Sequence, residues 1–439
     1  MTTSEINARV AGRFRLMTRA LRYRNYQLFF FGQGTSVAGT WMQTTAMGWL
    51  VYRMTGSALL LGVVGFASQI PATIAAPLGG VIADRHNRRR ILVVTQSLAM
   101  LQAAALTVLV FTGMIQVWHI VALSICLGLI NSFDVPTRQS FVVNMVERKE
   151  DLGNAIALNS LLFNSARFIG PTIAGILIAL SDKYGEGICF LLNSVTYLAV
   201  IFALLAMKIP ARGAVKPHGH VLHELWEGAE YVWTHPSIRA VLLLISALSL
   251  FAMAYAVLMP VFAKDILHGD ARTQGFLIGA SGVGALIGSI VLAARRNIAG
   301  IERVTVIATI VFGIGLIAFS QSKWLFVSLP ILVVTGFAGT SNMAACNTIV
   351  QTVVDDDKRG RLMSFWALSW MGTAPFGSLL AGAMSELMGA PMAVTLAGLC
   401  AVVGALLFSH SLPALRRSLE ASQAPPVPSP PVEPQTPMT

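Results

Sequence analysis

Apolar residues fall in twelve long runs separated by short polar connections, near 27–51, 58–82, 91–113, 117–143, 154–181, 187–208, 239–264, 273–295, 303–321, 324–352, 361–387 and 391–412. A hydrocarbon core of about 30 Å takes roughly 20 apolar residues per helix. Each run is long enough to be one span, so the pattern predicts an all-α membrane protein of twelve transmembrane helices. A longer connection at 209–238 divides them six and six. The expected organisation is a basic N-terminus at 1–26, a six-helix bundle at 27–208, a linker at 209–238, a second six-helix bundle at 239–412 and a disordered Pro-rich tail at 413–439. In the linker, Leu222, Leu225, Trp226, Ala229 and Trp233 share one helical face while Glu224, Glu227 and Glu230 lie elsewhere, which predicts an amphipathic helix along the membrane surface.

The second half echoes the first at an offset of 207 residues: Gly170 matches Gly377, and Ala174-Gly175 matches Ala381-Gly382. Parallel duplication of a six-helix unit is how many transporters are built, with the site between the halves near mid-membrane. The pattern therefore predicts two pseudo-symmetric bundles.

Charge fixes the expected orientation. Of the 31 Lys and Arg residues, 25 lie in the tails and even-numbered connections, Arg53, Lys183, Lys264, Arg272 and Lys323 lie on the odd-numbered ones, and Arg167 is inside a span. This asymmetry satisfies the positive-inside rule with both termini cytoplasmic, as expected of a multi-pass membrane protein. The net charge of +11 is thus spread over loops facing anionic lipid, and nucleic acid is not an expected partner. With 55% hydrophobic and 12% charged residues there is no room for a soluble domain. Cys126, Cys189, Cys346 and Cys400 all lie within spans as small apolar fillers. His218, His220 and His223 open the linker helix, but no Cys or Asp completes a metal set, so no metal and no cofactor are expected.

Several polar groups inside the spans carry chemistry. Arg167 is the one charge near mid-membrane, and a central Arg costs about 2.5–3.5 kcal/mol on insertion scales, so it is expected to face a cavity or a partner. At 1.5 Å per residue Arg167 lies about 20 Å deep and Asp134 about 14 Å. Two arrangements are open: Asp134 and Arg167 couple protonation to conformation, with Asp134 titrating, or Asp134 forms a static pair with Arg138 one turn along. Span one carries Gln33, Thr40, Gln43 and Thr44. Asn131, Asn159 and Phe163 join them from spans four and five, Asn342 and Asn347 from span ten, and Trp366 and Trp370 from span eleven. Amides and aromatics together suit a sizeable amphipathic substrate, although Ser and Thr also serve as helix–helix glue. In span five, Pro171 removes a backbone donor and bends the helix, while Gly170 and Gly175 permit close helix contact.

Between spans two and three runs Gly80-Val-Ile-Ala-Asp84-Arg85-His-Asn87-Arg88-Arg89-Arg90, with Gly79 and Gly80 small enough for close helix approach. This resembles the loop signature of the major facilitator superfamily, with Asn87 in place of the turn glycine, a substitution Asn can serve because it also visits positive φ. The segment from Gly170-Pro171 to Ala174-Gly175 looks like the span-five antiporter signature of drug exporters in that superfamily. Asn25-Tyr26, Gly39 to Gln43, Asn131 to Gln139, Glu227-Gly228 with Tyr231-Val232, and Arg359-Gly360-Arg361 resemble its branch of bacterial transmembrane secretion effectors. The resemblance spans about 20–412. It implies a gate-latch role for Gly80, Asp84, Arg85 and Arg88 to Arg90, and proton-driven export of a small molecule, a siderophore or a drug, by a monomer.

Rival readings separate on sequence. No Lys follows a Gly, so a phosphate-binding Gly-Lys-Ser/Thr loop is impossible in this chain, which argues against an ATP-driven pump. There is no His-Glu-x-x-His and no Gly-x-Ser-x-Gly, which argues against an intramembrane enzyme. A lipid or lysolipid flippase is the rival within transport, and a non-transporting membrane sensor or scaffold the rival outside it.

Overall fold

A computed structural model describes residues 19–142, 145–146, 148–207, 229–293, 300–355 and 358–423. Among these residues every regular element is helical. The first half comprises α1 (Arg24–Thr55), α2 (Ala58–Arg85), α3 (Arg88–Phe111), α4 (Val117–Val142), α5 (Lys149–Leu180) and α6 (Gly185–Ala206). The second comprises α7 (Pro236–Val257), α8 (Ala271–Ala293), α9 (Ile301–Gln321), α10 (Leu325–Val353), α11 (Arg359–Met388) and α12 (Ala390–Ser409). Ten of these runs are long and apolar enough to cross a membrane by composition alone. The other two are α1, diluted by its Gln, Ser and Thr residues, and α11, which is interrupted. The twelve-span reading is consistent with both.

The interruption of α11 has a covalent cause. A π-helical turn, Leu368–Gly372, separates Arg359–Ala367 from Ala374–Met388. Pro375 has no N–H, so the carbonyl four residues back, that of Met371, has no intrahelical donor. Thr73 of α2 supplies one at 3.1 Å, and Ser249 of α7 donates to the neighbouring Trp370 carbonyl at 2.5 Å. The break is thus satisfied by two other helices, one from each half.

Packing repeats in the two halves. In the first, α1 lies against α5 and α6, α3 against α4 and α6, and α2 against α4; in the second, α7, α9 and α8 take the equivalent neighbours. The bundles meet along α5–α8 and α2–α11. Glycines set the close crossings. A Cβ on Gly170 would sit 2.5 Å from the Ala38 carbonyl of α1, and one on Gly377 2.5 Å from the Leu250 carbonyl of α7. Between bundles, a Cβ on Gly175 would meet the Ala271 carbonyl of α8 at 2.6 Å, and one on Gly382 the Ala58 carbonyl of α2 at 2.6 Å. The 207-residue echo in the sequence is therefore an echo of contacts.

One expectation meets a difference. Where a disordered tail was expected from 413, α13 (Leu412–Gln423) forms. Its Leu415 and Leu419 are buried and its Arg416 and Glu420 pair in solvent at 3.0 Å, so amphipathic spacing carries the helix past the last apolar run. In the linker, residues 229–234 are helical, Tyr231 donating to Asp355 at 3.1 Å. The rest of the expected amphipathic helix, with His218, His220 and His223, lies outside the described residues, as do the ends of the chain.

Candidate substrate and gating site

The molecule has two ends. The basic end carries Arg85 to Arg90, Arg148, Arg303, Arg359 and Arg361; the far end carries Arg53, Lys183, Lys264 and Lys323. Between them, α5 presents two unlike faces to its surroundings. Leu161, Ile169, Ile173 and Ile176 are 38–42% exposed on one side. Asn159, Phe163 and Arg167, spaced four apart, form a stripe on the opposite side, between the α1 and α8 contacts. An apolar exposed face suits lipid, which leaves the polar stripe facing the space between the bundles.

Two arginine–aromatic pairs occupy this face. The Arg167 guanidinium lies 5.6 Å from the Trp41 ring centroid, and the Arg138 guanidinium 5.2 Å from that of Phe163. Asp134 is buried, and its Oδ1 accepts hydrogen bonds from Thr95 Oγ1 at 2.9 Å and Gln96 Nε2 at 2.8 Å. Its Oδ2 faces Arg138 Nε at 3.7 Å. Of the two arrangements left open by the sequence, the structure contains the i,i+4 pair with Arg138. Arg167 does not meet Asp134, because Trp41 holds it and α3 and α4 already occupy the carboxylate. Among the described residues the other buried acids, Asp151, Glu186 and Glu302, lie in the first turns of their helices.

The expected cavity residues divide into two sets. Thr44, Asn131, Asn159, Phe163, Asn347 and Trp370 are at least partly exposed, as is Thr40, which donates to the Ser36 carbonyl at 3.0 Å. Gln33, Gln43, Asn342 and Trp366 are buried. Gln43 is committed inside the first bundle: it donates to Gln102 at 3.0 Å and accepts from Asn193 at 2.8 Å, which ties α1, α3 and α6 together. Asn342 donates to Thr305 and Thr309 of α9. Each of these two amides is satisfied by partners within its own bundle and so does not line the space between bundles.

The basic loop corrects one inference about Asn87. Its φ is −66°, so the residue does not replace glycine by adopting a left-handed turn. It caps α3 instead, accepting from Arg89 N at 3.0 Å and Arg90 N at 3.3 Å. Arg88 donates to the Ser140 carbonyl at 3.1 Å and Arg89 to the Leu205 carbonyl at 2.5 Å, placing both cations at the C-terminal ends of α4 and α6. Arg85 and Arg90 are exposed. Asp84 belongs to the last turn of α2, and its side chain lies outside the described residues. A Cβ on Gly79 would overlap the Ser132 carbonyl, whereas one on Gly80 meets nothing within 4 Å, so only Gly79 is a contact glycine.

Sequence reasoning missed the far-end latch. Tyr52 of α1 hydrogen-bonds Asp265 beyond α7, and Lys264 lies 5.6 Å from the Tyr52 ring centroid. Gln274 of α8 donates to the Thr45 carbonyl at 3.2 Å, and Glu386 of α11 accepts from Ser57 and Leu59 N of α2, both at 3.3 Å. Further bridges continue inward at Gln69–Ser378 (3.1 Å) and Asn164–Ser289 (3.1 Å). No local pattern marks Tyr52 and Asp265 as partners, since they are 213 residues apart.

Two like helical bundles, joined through α2–α11 and α5–α8 around a polar interior face, are the architecture of a transporter of the major facilitator superfamily. A family model described as a transmembrane secretion effector matches residues 19–436, and the chain belongs to that family. It is similar to the Staphyloferrin A transporter of Staphylococcus aureus, at 23% identity over 90% of this chain and 98% of that one. It is also similar to the multidrug efflux pump Tap of Mycolicibacterium fortuitum, at 24% identity over 82% of this chain and 89% of that one. In fold it resembles a bacterial homolog of the human lysosomal transporter Spinster in an inward-facing, occupied conformation, with a TM-score of 0.72 at 12% identity, covering 92% of this chain and 99% of that one. The chain is a membrane transporter and not an enzyme.

Proposed function

We propose that this protein is a proton-coupled exporter of a small amphipathic molecule in the bacterial plasma membrane, working by alternating access with its basic end toward the cytoplasm. The orientation follows from the placement of the cations. The direction of transport draws on the efflux function named for the Mycolicibacterium relative. The observation that carries the reading is the polar face of the first bundle, where the buried Asp134 holds Arg138 beside Phe163, and we read this face as lining the space between the bundles. Protonation of Asp134 removes the charge that positions Arg138, so arrival of a proton changes the substrate face directly. With the far end latched, substrate enters from the basic end; release requires the far-end bonds to part while the bundles rock about α2–α11 and α5–α8. The gate loop contributes through Arg88 and Arg89, which hold the ends of α4 and α6 to α3 as one body.

The test is uptake into everted vesicles across a panel of drugs, siderophores and lysolipids, with and without an inwardly acidic gradient. Wild-type protein is expected to accumulate a small-molecule substrate only with the gradient. Asp134→Asn is expected to lower gradient-driven accumulation at least about tenfold, the scale of one lost charge-assisted contact. Undiminished gradient-driven uptake by Asp134→Asn sinks the coupling role, and gradient-independent uptake sinks the proton.

A further inference from the structure

The geometry points to an anionic substrate: a carboxylate or similar anion on an apolar body, its charge received by Arg167 and its body packed between Trp41 and Phe163. This rests on the reading of the inter-bundle space as the substrate site, and deepens it by naming the charge.

The argument begins with the charges on the polar face. Arg138 and Arg167 contribute two cations and Asp134 one anion, and Asp134 is already engaged by Thr95, Gln96 and Arg138. Among the described residues Arg167 has no ion pair and no hydrogen bond through its guanidinium; its recorded partner is the Trp41 ring. A ring face engages a guanidinium without using its in-plane N–H donors, so those donors remain available to an anion. A mid-membrane Arg without a counter-ion is costly, and such charges in spans mark substrate or ion routes.

The opposing bundle supplies no counter-ion. In the described parts of α7 to α12, the acids Glu302 and Glu386 lie within one turn of a helix end, and Asp265, Asp270 and Asp355 lie outside the helical spans or at their limits. At the 207-residue offset Arg167 corresponds to Ala374 and Phe163 to Trp370, so the second bundle answers the arginine with a small residue and an aromatic. One turn before Phe163, Asn159 Oδ1 is buried without a hydrogen-bond partner, an acceptor placed on the same stripe for a donor on the ligand. The site therefore has surplus positive charge, flanking aromatics and one waiting acceptor. A cationic amphiphile meets uncompensated repulsion there.

The test is equilibrium binding to purified full-length protein in neutral detergent, with three matched probes: 4-phenylbutyrate, 4-phenylbutyramide and 4-phenylbutylamine. Binding is read by ligand-induced thermal shift and tryptophan fluorescence. Phenylbutyrate is expected to bind at least about tenfold more tightly than the amide, with the amine weakest, as for one charge-assisted contact in a partly desolvated site. Arg167→Gln is expected to erase that preference, and Arg167→Lys to retain part of it while showing that the fold survives. An added arm with phosphatidylglycerol distinguishes a lipid anion from a soluble one: protection by the lipid alone, lost in Arg167→Gln, assigns the anion to a headgroup. Equal binding of the three probes, preference for the amine, or a carboxylate preference that survives Arg167→Gln overturns the inference. Because the readout is binding, loss of gradient-driven transport with intact carboxylate selectivity faults the transport reading alone.

Discussion

In the first bundle, position 134 of α4 holds an aspartate facing Arg138 one turn along, at 3.7 Å. In the second, the corresponding residue of α10 is Asn342, whose Oδ1 accepts from the Cys346 thiol one turn along, also at 3.7 Å. The correspondence is structural: Gly128 of α4 packs on the Ser68 carbonyl of α2 as Gly336 of α10 packs on the Ser281 carbonyl of α8. Each polar group reaches the equivalent neighbouring helix of its own bundle, Asp134 through Thr95 and Gln96 of α3, Asn342 through Thr305 and Thr309 of α9. One half thus keeps an ion pair where the other keeps its neutral counterpart. Duplication constrains shape, because two like bundles must interlock through small residues. It does not constrain charge, so the titratable chemistry can reside in one half while the other supplies a matching surface.

The largest test of this contrast is to carry charge across it. Asn342→Asp places a carboxylate beside the Thr305 carbonyl with no arginine one turn along, and is expected to lower stability by on the order of 3 kcal/mol. Thermal melting in detergent reads this directly, and a variant that melts with the wild type breaks the comparison. Next is the far-end latch, where neighbours differ in what they join: Tyr52 reaches the other bundle, and Arg53 pairs with Glu186 of its own bundle at 2.8 Å. Tyr52→Phe removes a hydrogen bond to a charged group, worth about 1.5–3 kcal/mol, and is expected to raise the far-end-open population about tenfold or more in spin-label distance measurements. Arg53→Gln is expected to leave that distribution in place.

Smaller effects separate adjacent glycines and a cap. Gly79→Ala forces α2 off the Ser132 carbonyl at about 1–3 kcal/mol, while Gly80→Ala is expected to stay within about 0.5 kcal/mol of wild type; equal melting shifts would sink the assignment. Least of all, Asn87→Ala is expected to cost about 1 kcal/mol and Asn87→Gly only a few tenths. A glycine variant more stable than wild type would show that the turn, and not the cap, governs this position.

The fold was legible because its signals are local and repeated: spans of sufficient length, charge on alternate connections, and glycines at a fixed offset. The site was less so. The periodicity of α1 identifies a polar stripe but cannot tell a water-facing amide from one that meets another helix, and Gln43 turned out to be the second kind. Arg167 was visible as a cation within a span, yet its neighbour was not the acid closest in depth; Trp41 came from a helix whose position no spacing records. Tyr52 and Asp265 carry no signature at all, since either residue at a helix end is unremarkable until the two bundles are placed together. Asn87 could have been read as a cap from its place ahead of the α3 run, but the glycine of the family motif pointed to a turn.

The prolyl ring at position 375 leaves the Met371 oxygen dependent on a hydroxyl from the opposite bundle. When α2 and α11 slide apart, that oxygen loses Thr73 and has no amide of its own helix to fall back on. Water would then be its remaining donor. Separation of these two helices would therefore be coupled, at this point in the chain, to hydration of one carbonyl.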